Sequence, residues 1–149
     1  MNRNNQEPIL IKGSSAVDNR GCLNFINDFN FKGVRRFYII ENSSIKIIRA
    51  WHGHLKEGKY VFVAQGSAIV AAVRIDDIKN PNKKSKVYRF ILSSKVPSVL
   101  YIPPRFANGF RSIESNTKII FFSTSVLGDS QKDDYRFPID YWDTNIWKK

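Results

Sequence analysis

The sequence predicts an all-β fold in which short antiparallel strands form a sandwich or a barrel. Segments rich in β-branched and aromatic residues recur along the chain, and Gly, Pro, Asn and Ser separate them. They follow one another at intervals of roughly 8–12 residues, which is typical of sandwiches and barrels. No segment has the apolar period of a long amphipathic helix.

Strand and turn signals alternate in the N-terminal third of the chain. Residues 1–7 are polar and are predicted to be flexible. The apolar segment Ile9–Ile11 is followed by Asp18-Asn19-Arg20-Gly21, whose composition predicts a turn. Val34–Asn42 and Ile45–His54 are rich in β-branched and aromatic residues, and each is predicted to be a strand.

The rest of the chain continues the same pattern. Tyr60–Ala64 and Ala68–Ile75 are joined by Gln65-Gly66 and are predicted to pair as a hairpin. The aromatic segment Asp133–Trp147 is predicted to pack back on the body of the protein. No repeat or linker divides the sequence, so residues 1–149 are predicted to form a single domain. Four further short strands are predicted, at Lys86–Leu92, Val99–Ile102, Phe110–Ile113 and Lys118–Ser125.

Composition narrows the classes of protein to be considered. A single cysteine, Cys22, excludes a disulfide framework within the chain and is typical of a reducing compartment. No apolar run reaches the length of a membrane-spanning helix, and the polar start Met1–Asn5 lacks the apolar core of a secretory signal. A cytoplasmic protein without a membrane partner is predicted.

The formal net charge of +11 indicates an anionic partner. The densest run of cations, Lys79–Lys86, is predicted to be a solvated loop between strands, and the other cations are scattered. A small anionic ligand such as a nucleotide diphosphate is therefore favoured over nucleic acid, and a basic barrel that binds nucleic acid is the third alternative.

The two histidines of the chain, His52 and His54, are two residues apart in a predicted strand, so both project from the same face. Histidine moves protons near neutral pH, and a neighbouring cation keeps the ring neutral and able to act as a base. Lys59 is near in sequence and can stabilise negative charge on a carbonyl oxygen. These residues suit proton abstraction next to a ketone.

The histidine pair resembles the first half of the metal motif of cupins, which are small jelly-roll barrels with G-x5-H-x-H-x3,4-E-x6-G followed by G-x5-P-x-G-x2-H-x3-N. Lys59 stands where that motif has its acid, while Arg105 replaces the second glycine and Asn108 replaces the last histidine. Glu57 is out of phase with the motif and is given little weight. A transition metal needs three or four donors, so we predict a cupin-type jelly-roll barrel of antiparallel strands with no metal.

Five segments of the chain match the motifs of one known family. They are Asp18-x-Arg20-Gly21 for D-x-R-G, Arg49-Ala50-Trp51-His52 for R-G-L-H, Lys59 for the family's lysine, Ile102–Phe110 for I-P-x-G-F-A-H-G-F and, in part, Ile146-Trp147 for I-x-W. In these segments, and over nearly its whole length, the chain resembles the dTDP-4-dehydrorhamnose 3,5-epimerases. That resemblance implies a dimeric jelly roll that acts without metal or redox cofactor on a nucleotide-linked 4-keto-6-deoxy sugar, for surface polysaccharide assembly.

A second resemblance is to the dTDP-sugar 3,4-ketoisomerases. Arg36-Phe37-Tyr38 followed by Arg49–His54 is similar to their R-x-Y and R-G-x-H-A-H-K, although Leu55 replaces the last lysine. In that family the histidine pair is thought to shuttle a proton between neighbouring carbons. The chain also departs from the epimerases, because Phe121 stands where their tyrosine donates a proton and the tail that brings an aspartate to their histidine has no counterpart.

These resemblances together predict a proton-transfer mechanism. His52 removes a proton from a carbon beside the C4 ketone, Lys59 stabilises the enediolate oxygen, and His54 or a water returns the proton. Epimerisation at C3, C5 or both is the leading prediction, and 3,4-ketoisomerisation is its alternative. A further, non-enzymatic alternative is a cupin that binds a sugar but does not catalyse a reaction.

The remaining predicted site residues bind the substrate. Arg49, Arg36 and Arg20 are expected to hold the diphosphate or the sugar through charge-assisted hydrogen bonds, and each could instead be a surface charge. Asn108 is expected to donate a hydrogen bond to the sugar in place of the family's histidine. Trp51 could stack on the nucleotide base, but it alternates with His52 and is predicted to face outward, into the other sheet or a dimer contact. The predicted partners are a nucleotide-diphosphate sugar and a second copy of the chain.

Overall fold

Strand formation follows the alternation seen in the sequence, and in Arg36–Glu41 and Lys59–Gln65 every second residue is turned inward. The computed structural model describes residues 6–149, so most of the segment predicted to be flexible, residues 1–5, lies outside the described residues. The elements are β1 (Ile9–Lys12), β2 (Ser14–Asp18), β3 (Gly21–Phe25), β4 (Arg36–Glu41), β5 (Ile48–His54), β6 (Lys59–Gln65), β7 (Ser67–Arg74), β8 (Val87–Ser93), β9 (Ser98–Ile102), β10 (Phe106–Ser112), β11 (Lys118–Ser123), α1 (Leu127–Lys132), β12 (Tyr135–Arg136) and a 3₁₀ helix (Thr144–Trp147).

The strands form two five-stranded antiparallel sheets and one separate hairpin. The first sheet has the order β1-β9-β6-β11-β4, and the second has the order β12-β5-β10-β7-β8. β2 and β3 pair only with each other, around a turn at the predicted Asp18–Gly21. The all-β prediction is confirmed. Between residues 6 and 149, no helix is long and apolar enough to cross a membrane.

The predicted hairpin between β6 and β7 is wrong. β6 pairs with β9 and β11 in the first sheet, whereas β7 pairs with β10 and β8 in the second. The chain crosses between the sheets at Gly66, whose φ of +75° is readily adopted by glycine. The crossing buries the inner faces of both strands, since Val61 and Val70 belong to one core cluster between the sheets.

The outer face of the second sheet is covered by the C-terminal segment, as the sequence predicted. Trp142, Ile146 and Trp147 form a second core cluster with Trp51, which is fully buried. Trp51 Nε1 donates a hydrogen bond to the Ile139 carbonyl at 3.3 Å. Trp51 thus faces outward from the sheet, and its neighbours His52 and His54 face the space between the sheets.

Arg105 occupies the position at which the cupin motif has glycine, and its backbone has the conformation that glycine favours. Its φ is +68°, in the left-handed region where a Cβ is strained. The conformation is held because the Arg105 N–H donates to His54 O and its carbonyl accepts from Ile75 N–H, both at 2.8 Å.

We expect Arg105→Gly to raise the free energy of unfolding by about 1 kcal/mol, because glycine relieves the left-handed strain at an exposed position. Urea unfolding of the purified variants measures the difference. Arg105→Ala is the matched control, since it removes the same side chain but keeps a Cβ, and it should show no such gain. Equal stabilities for the glycine and alanine variants would contradict the prediction.

Candidate active site

A cleft of about 260 Å³ lies between the two sheets at the end where β4 and β5 approach each other. Four predicted site residues line it, and the structure brings them together from three strands: Arg36, His52, His54 and Lys59. Tyr38, Ser130, Asp134 and Arg136 line it as well and were not predicted as site residues. A set of proton-transfer groups from distant parts of the sequence therefore meets in one place.

The two walls of the cleft have different chemistry. β5 in the second sheet supplies both imidazoles, whereas β4 and β6 in the first sheet supply a guanidinium, a phenol and an ammonium. Strand register explains the second wall. Lys59 and Arg36 are the partners of Ser123 on either side of β11, so all three project from the same face of the sheet.

Tyr38 supplies a phenol beside the position where the epimerase tyrosine is replaced. Phe121 is its register partner on β11, and the two rings stack with centroids 5.3 Å apart. Burial, followed by the charge of the nearby Glu57 carboxylate, raises the pKa of Tyr38 to about 12. The phenol is consequently protonated at neutral pH and able to donate a proton.

His52 is held neutral by its surroundings. Burial, followed by the charges of Arg136 and Lys59, lowers its pKa to about 4. Its Nε2 lies 3.3 Å from Arg136 Nη1, and because a guanidinium only donates, this nitrogen is the acceptor. Arg136 is in turn paired with Asp134 at 2.8 Å. His52 therefore lines the cleft as an unprotonated imidazole.

His54 is buried and has a different set of contacts. Its Nδ1 lies 2.6 Å from the Asp133 carbonyl oxygen and 3.1 Å from Glu57 Oε2. Because a carbonyl only accepts, Nδ1 bears the hydrogen and Nε2 has a free lone pair. Burial is the main cause that lowers the pKa of His54, followed by Lys59, while Glu57 acts in the opposite direction.

In the sequence analysis, Glu57 is given little weight as a site residue. The structure places its side chain directly behind the cleft. Its side chain is fully buried. It accepts hydrogen bonds from Ser123 Oγ and from Ser130 Oγ, the latter at 2.8 Å, and Arg36 Nη2 lies 3.4 Å from Oε1. The alternation of side chains along a strand could not have predicted this contact, because Glu57 lies in the loop between β5 and β6.

Lys59 is buried, at 6% exposure, and burial lowers its pKa. Its Nζ lies 6.0 Å from the ring centroid of Tyr38 and 5.9 Å from that of Phe121. Arg36 is offset by Glu57 and Arg136 by Asp134, so the ammonium is the excess positive charge of the cleft. Such a charge favours an anion or a developing oxyanion.

Three predicted substrate-binding residues do not line the cleft. Arg49 Nε donates to Asn42 Oδ1 at 2.8 Å, near the opposite end of β4 from Arg36. Asn108 is buried and donates to the His52 carbonyl at 3.1 Å. Arg20 lies at the turn of the β2–β3 hairpin, where its exposed side chain pairs with Asp18 at 2.5 Å. Their substrate-binding roles stay predictions.

The donor set of the cleft was also compared with what a metal needs. Throughout residues 6–149, no group of three or more His, Cys, Asp and Glu side chains is arranged to hold a metal ion. His52 and His54 are two nitrogen donors with the Lys59 ammonium beside them, and a transition-metal site needs at least one more donor and no adjacent cation. The residues present do not fit a metal.

The paired sheets, the two-histidine wall and the facing lysine define the class of cupin-type isomerases. The chain belongs to the family described as dTDP-4-dehydrorhamnose 3,5-epimerase, whose model matches residues 6–145. The family consists of dTDP-sugar epimerases and isomerases, which are enzymes. Comparison with curated protein sequences gives no match.

Solved structures share the fold at low sequence identity. The rmlC epimerase of Mycobacterium tuberculosis is similar with a TM-score of 0.76 and 16% identity, over 98% of this chain and 75% of that one. A 3,5-epimerase from Sulfolobus tokodaii gives 0.73 and 23%, over 91% and 80%. The sugar 3,4-ketoisomerase QdtA from Thermoanaerobacterium thermosaccharolyticum, in complex with TDP, gives 0.67 and 20%, over 95% and 93%. Both kinds of isomerase therefore share this fold.

Because the chain has only two histidines, NMR can follow each imidazole through a pH titration. We expect a midpoint near 4 for His52. Arg136→Gln should raise this pKa, since removing a neighbouring positive charge favours the imidazolium. Arg89→Gln is the control, because that guanidinium bonds the carbonyls of Ile146 and Lys148 instead. A wild-type midpoint close to the ordinary 6.5 would contradict the prediction.

Proposed function

We propose that this protein is a cofactor-independent isomerase of a dTDP-linked 4-keto-6-deoxyhexose, and that it inverts the carbon at position 3, position 5 or both. The supporting observation is the arrangement of the cleft, with imidazoles on one wall and the Tyr38 phenol and Lys59 ammonium on the other. Epimerisation requires a base and an acid on opposite faces of the sugar, and a sugar ring held between these walls would meet both.

In the proposed reaction, an imidazole of the β5 wall takes the proton from the carbon beside the ketone, and the family motif assigns this step to His52. The electron pair moves onto the C4 oxygen to form an enediolate, which the Lys59 ammonium stabilises. The phenol of Tyr38 then gives its proton to the opposite face of the same carbon. The ketone is restored, the configuration is inverted, and the imidazole and phenol exchange protons with solvent before the next turnover.

Binding of the nucleotide part is proposed to use the excess positive charge at the cleft. Arg136 lies at the mouth, with its side chain 63% exposed, and it contacts His52 Nε2. A diphosphate that draws this guanidinium away would free the His52 lone pair at the same time. Substrate binding and exposure of a base would then be linked through one side chain.

A second candidate reaction is 3,4-ketoisomerisation, and His54 is the observation that favours it. Its unpartnered Nε2 is two residues from His52 on the same face, about 7 Å along the strand. Two bases on one wall could move a proton between neighbouring carbons of the same sugar face. One related structure is a 3,4-ketoisomerase in complex with TDP-4-keto-6-deoxyglucose.

The proposed function is tested by incubating the protein with dTDP-4-keto-6-deoxyglucose in deuterated water and locating the deuterium by NMR. Deuterium at C3 or C5 of a 4-keto product supports epimerisation, and a 3-keto product supports ketoisomerisation. Tyr38→Phe should slow product formation by about 10²- to 10⁴-fold, because the general acid is lost. Tyr101→Phe, an aromatic partner of Tyr60 outside the cleft lining, is the matched control. Absence of any deuterium uptake by the wild-type protein would refute the proposal.

We propose also that the protein is a homodimer. The outer face of the first sheet leaves large apolar side chains exposed, among them Phe37 at 63% and Ile39 at 58% on β4. Neighbouring Phe31 is 65% exposed and packs edge-on against Phe122. A contiguous aromatic surface of this kind is typical of protein interfaces.

Light scattering should accordingly give a mass of about twice the 17.2 kDa of the chain. Phe37→Lys should shift the mass towards the monomer, because a charge would be buried at the interface. Ile91→Lys is the control, since Ile91 is 59% exposed on β8 of the other sheet. A monomeric wild-type protein at micromolar concentration would exclude the dimer.

A further inference from the structure

Glu57 is the buried charged group that the proposed reaction does not use. Its side chain has no exposure, and burying a carboxylate is unfavourable unless donors satisfy its oxygens. Both oxygens have such donors. Ser123 and Arg36 approach Oε1, and Ser130 and the His54 Nδ1 approach Oε2. Polar groups from four other elements of the structure therefore converge on this one buried side chain.

The orientation of His54 follows from this carboxylate and from one carbonyl. Glu57 Oε2 at 3.1 Å and Asp133 O at 2.6 Å both lie on the Nδ1 side of the ring. They fix the hydrogen on Nδ1 and leave Nε2 as the acceptor. That nitrogen is buried and has no hydrogen-bond partner among the described residues, although the side chain lines the cleft. An unpartnered buried acceptor is unfavourable until a ligand donates to it.

The surroundings of the two imidazoles differ in how well they would stabilise an added proton. His52 Nε2 is occupied by Arg136, and no carboxylate is within ion-pair distance of its ring among the described residues. His54 presents a free Nε2, and Glu57 lies behind its other nitrogen. A proton taken up at His54 Nε2 would create an imidazolium next to an anion, whereas one taken up at His52 would lie next to a guanidinium.

We infer that Glu57 is the positioning residue that makes His54, rather than His52, the general base of the cleft. The Asp133 carbonyl fixes the tautomer of His54 with Nε2 free, and Glu57 on the same side of the ring stabilises the imidazolium that forms when the substrate carbon loses its proton. Arg36, Ser123 and Ser130 hold the carboxylate in place. This inference rests on the proposed function, because it assigns the base of that reaction.

The groups that face His54 set the direction of its pH dependence. They are Lys59 on β6, Arg36 and Tyr38 on β4, His52 on the same strand, Glu57 in the following loop, and Asp133, Asp134 and Arg136 on the segment after α1. Lys59 lowers the pKa of His54 and Glu57 raises it. Loss of the Glu57 charge should therefore lower this pKa further and move the acidic limb of the rate profile to lower pH.

Glu57→Gln tests the inference with readouts that a merely structural role would not change. We expect the His54 imidazole to titrate at lower pH in the NMR spectrum, while the Asp133 carbonyl keeps the hydrogen on Nδ1. With dTDP-4-keto-6-deoxyglucose, kcat should fall at least about tenfold with KM little changed. Glu57→Asp, which keeps the charge, should recover part of the rate. His54→Ala should abolish deuterium uptake, and His52→Ala should leave a measurable rate.

Glu114→Gln is the matched control, because that carboxylate also accepts from a serine hydroxyl, Ser67 Oγ at 2.6 Å, whereas the His54 ring is paired with Glu57. Thermal unfolding shows whether each variant is folded. The inference is overturned if His54 titrates at the same pH in Glu57→Gln as in the wild type, or if His52→Ala alone abolishes exchange. No exchange by the wild-type protein would refute the proposed function instead, and the NMR titration would still decide the contact between Glu57 and His54.

Discussion

The alternation of side chains along β5 is the constraint on which the rest of the structure depends. Trp51 and Gly53 face the C-terminal segment, and His52 and His54 face the cleft. A Cβ at residue 53 would lie 2.7 Å from Ile75 Cδ1, so a larger residue would force the Ile75 side chain in the outer layer to shift. A shift of one residue in register would expose Trp51 to the cleft and bury both imidazoles under the tail. Packing on one side of the strand thereby fixes the chemistry on the other.

The balance of charges in the cleft also depends on close packing. Two arginines and one lysine stand against two carboxylates, and the pairs Arg36–Glu57 and Arg136–Asp134 leave Lys59 without a carboxylate of its own. The ammonium is buried beside aromatic rings in place of water, which strengthens its attraction for an oxyanion. Burial is the main cause that lowers the pKa of both histidines, and the charge of Lys59 acts in the same direction. Under the proposed function, one residue therefore prepares the base and stabilises the product of the base's action.

Much of the fold and part of the site could be predicted from the sequence, because they depend on local pattern. Alternation indicated the strands, and the spacing of His52, His54 and Lys59 indicated a shared cleft. The β6–β7 pairing was wrong because a short glycine turn allows either a hairpin or a crossing, and burial of both inner faces selects the crossing. Glu57 and Tyr38 were missed because their importance arises from contacts across strands that are distant in sequence. Motif matches at Arg20 and Arg49 predicted chemistry without indicating where those side chains lie.

The predicted replacement of the epimerase tyrosine by Phe121 has a geometric consequence for the proposed reaction. Tyr38 is the register partner of Phe121, so the phenol stands one strand away, a displacement of about 4.8 Å across the sheet. That displacement exceeds the separation of adjacent carbons in a sugar ring. A phenol displaced so far relative to the imidazoles would donate its proton to a different carbon unless the sugar were displaced with it. The shared fold and lysine accordingly support a common class of reaction, and under the proposed function the place of Tyr38 selects the carbon that receives the proton.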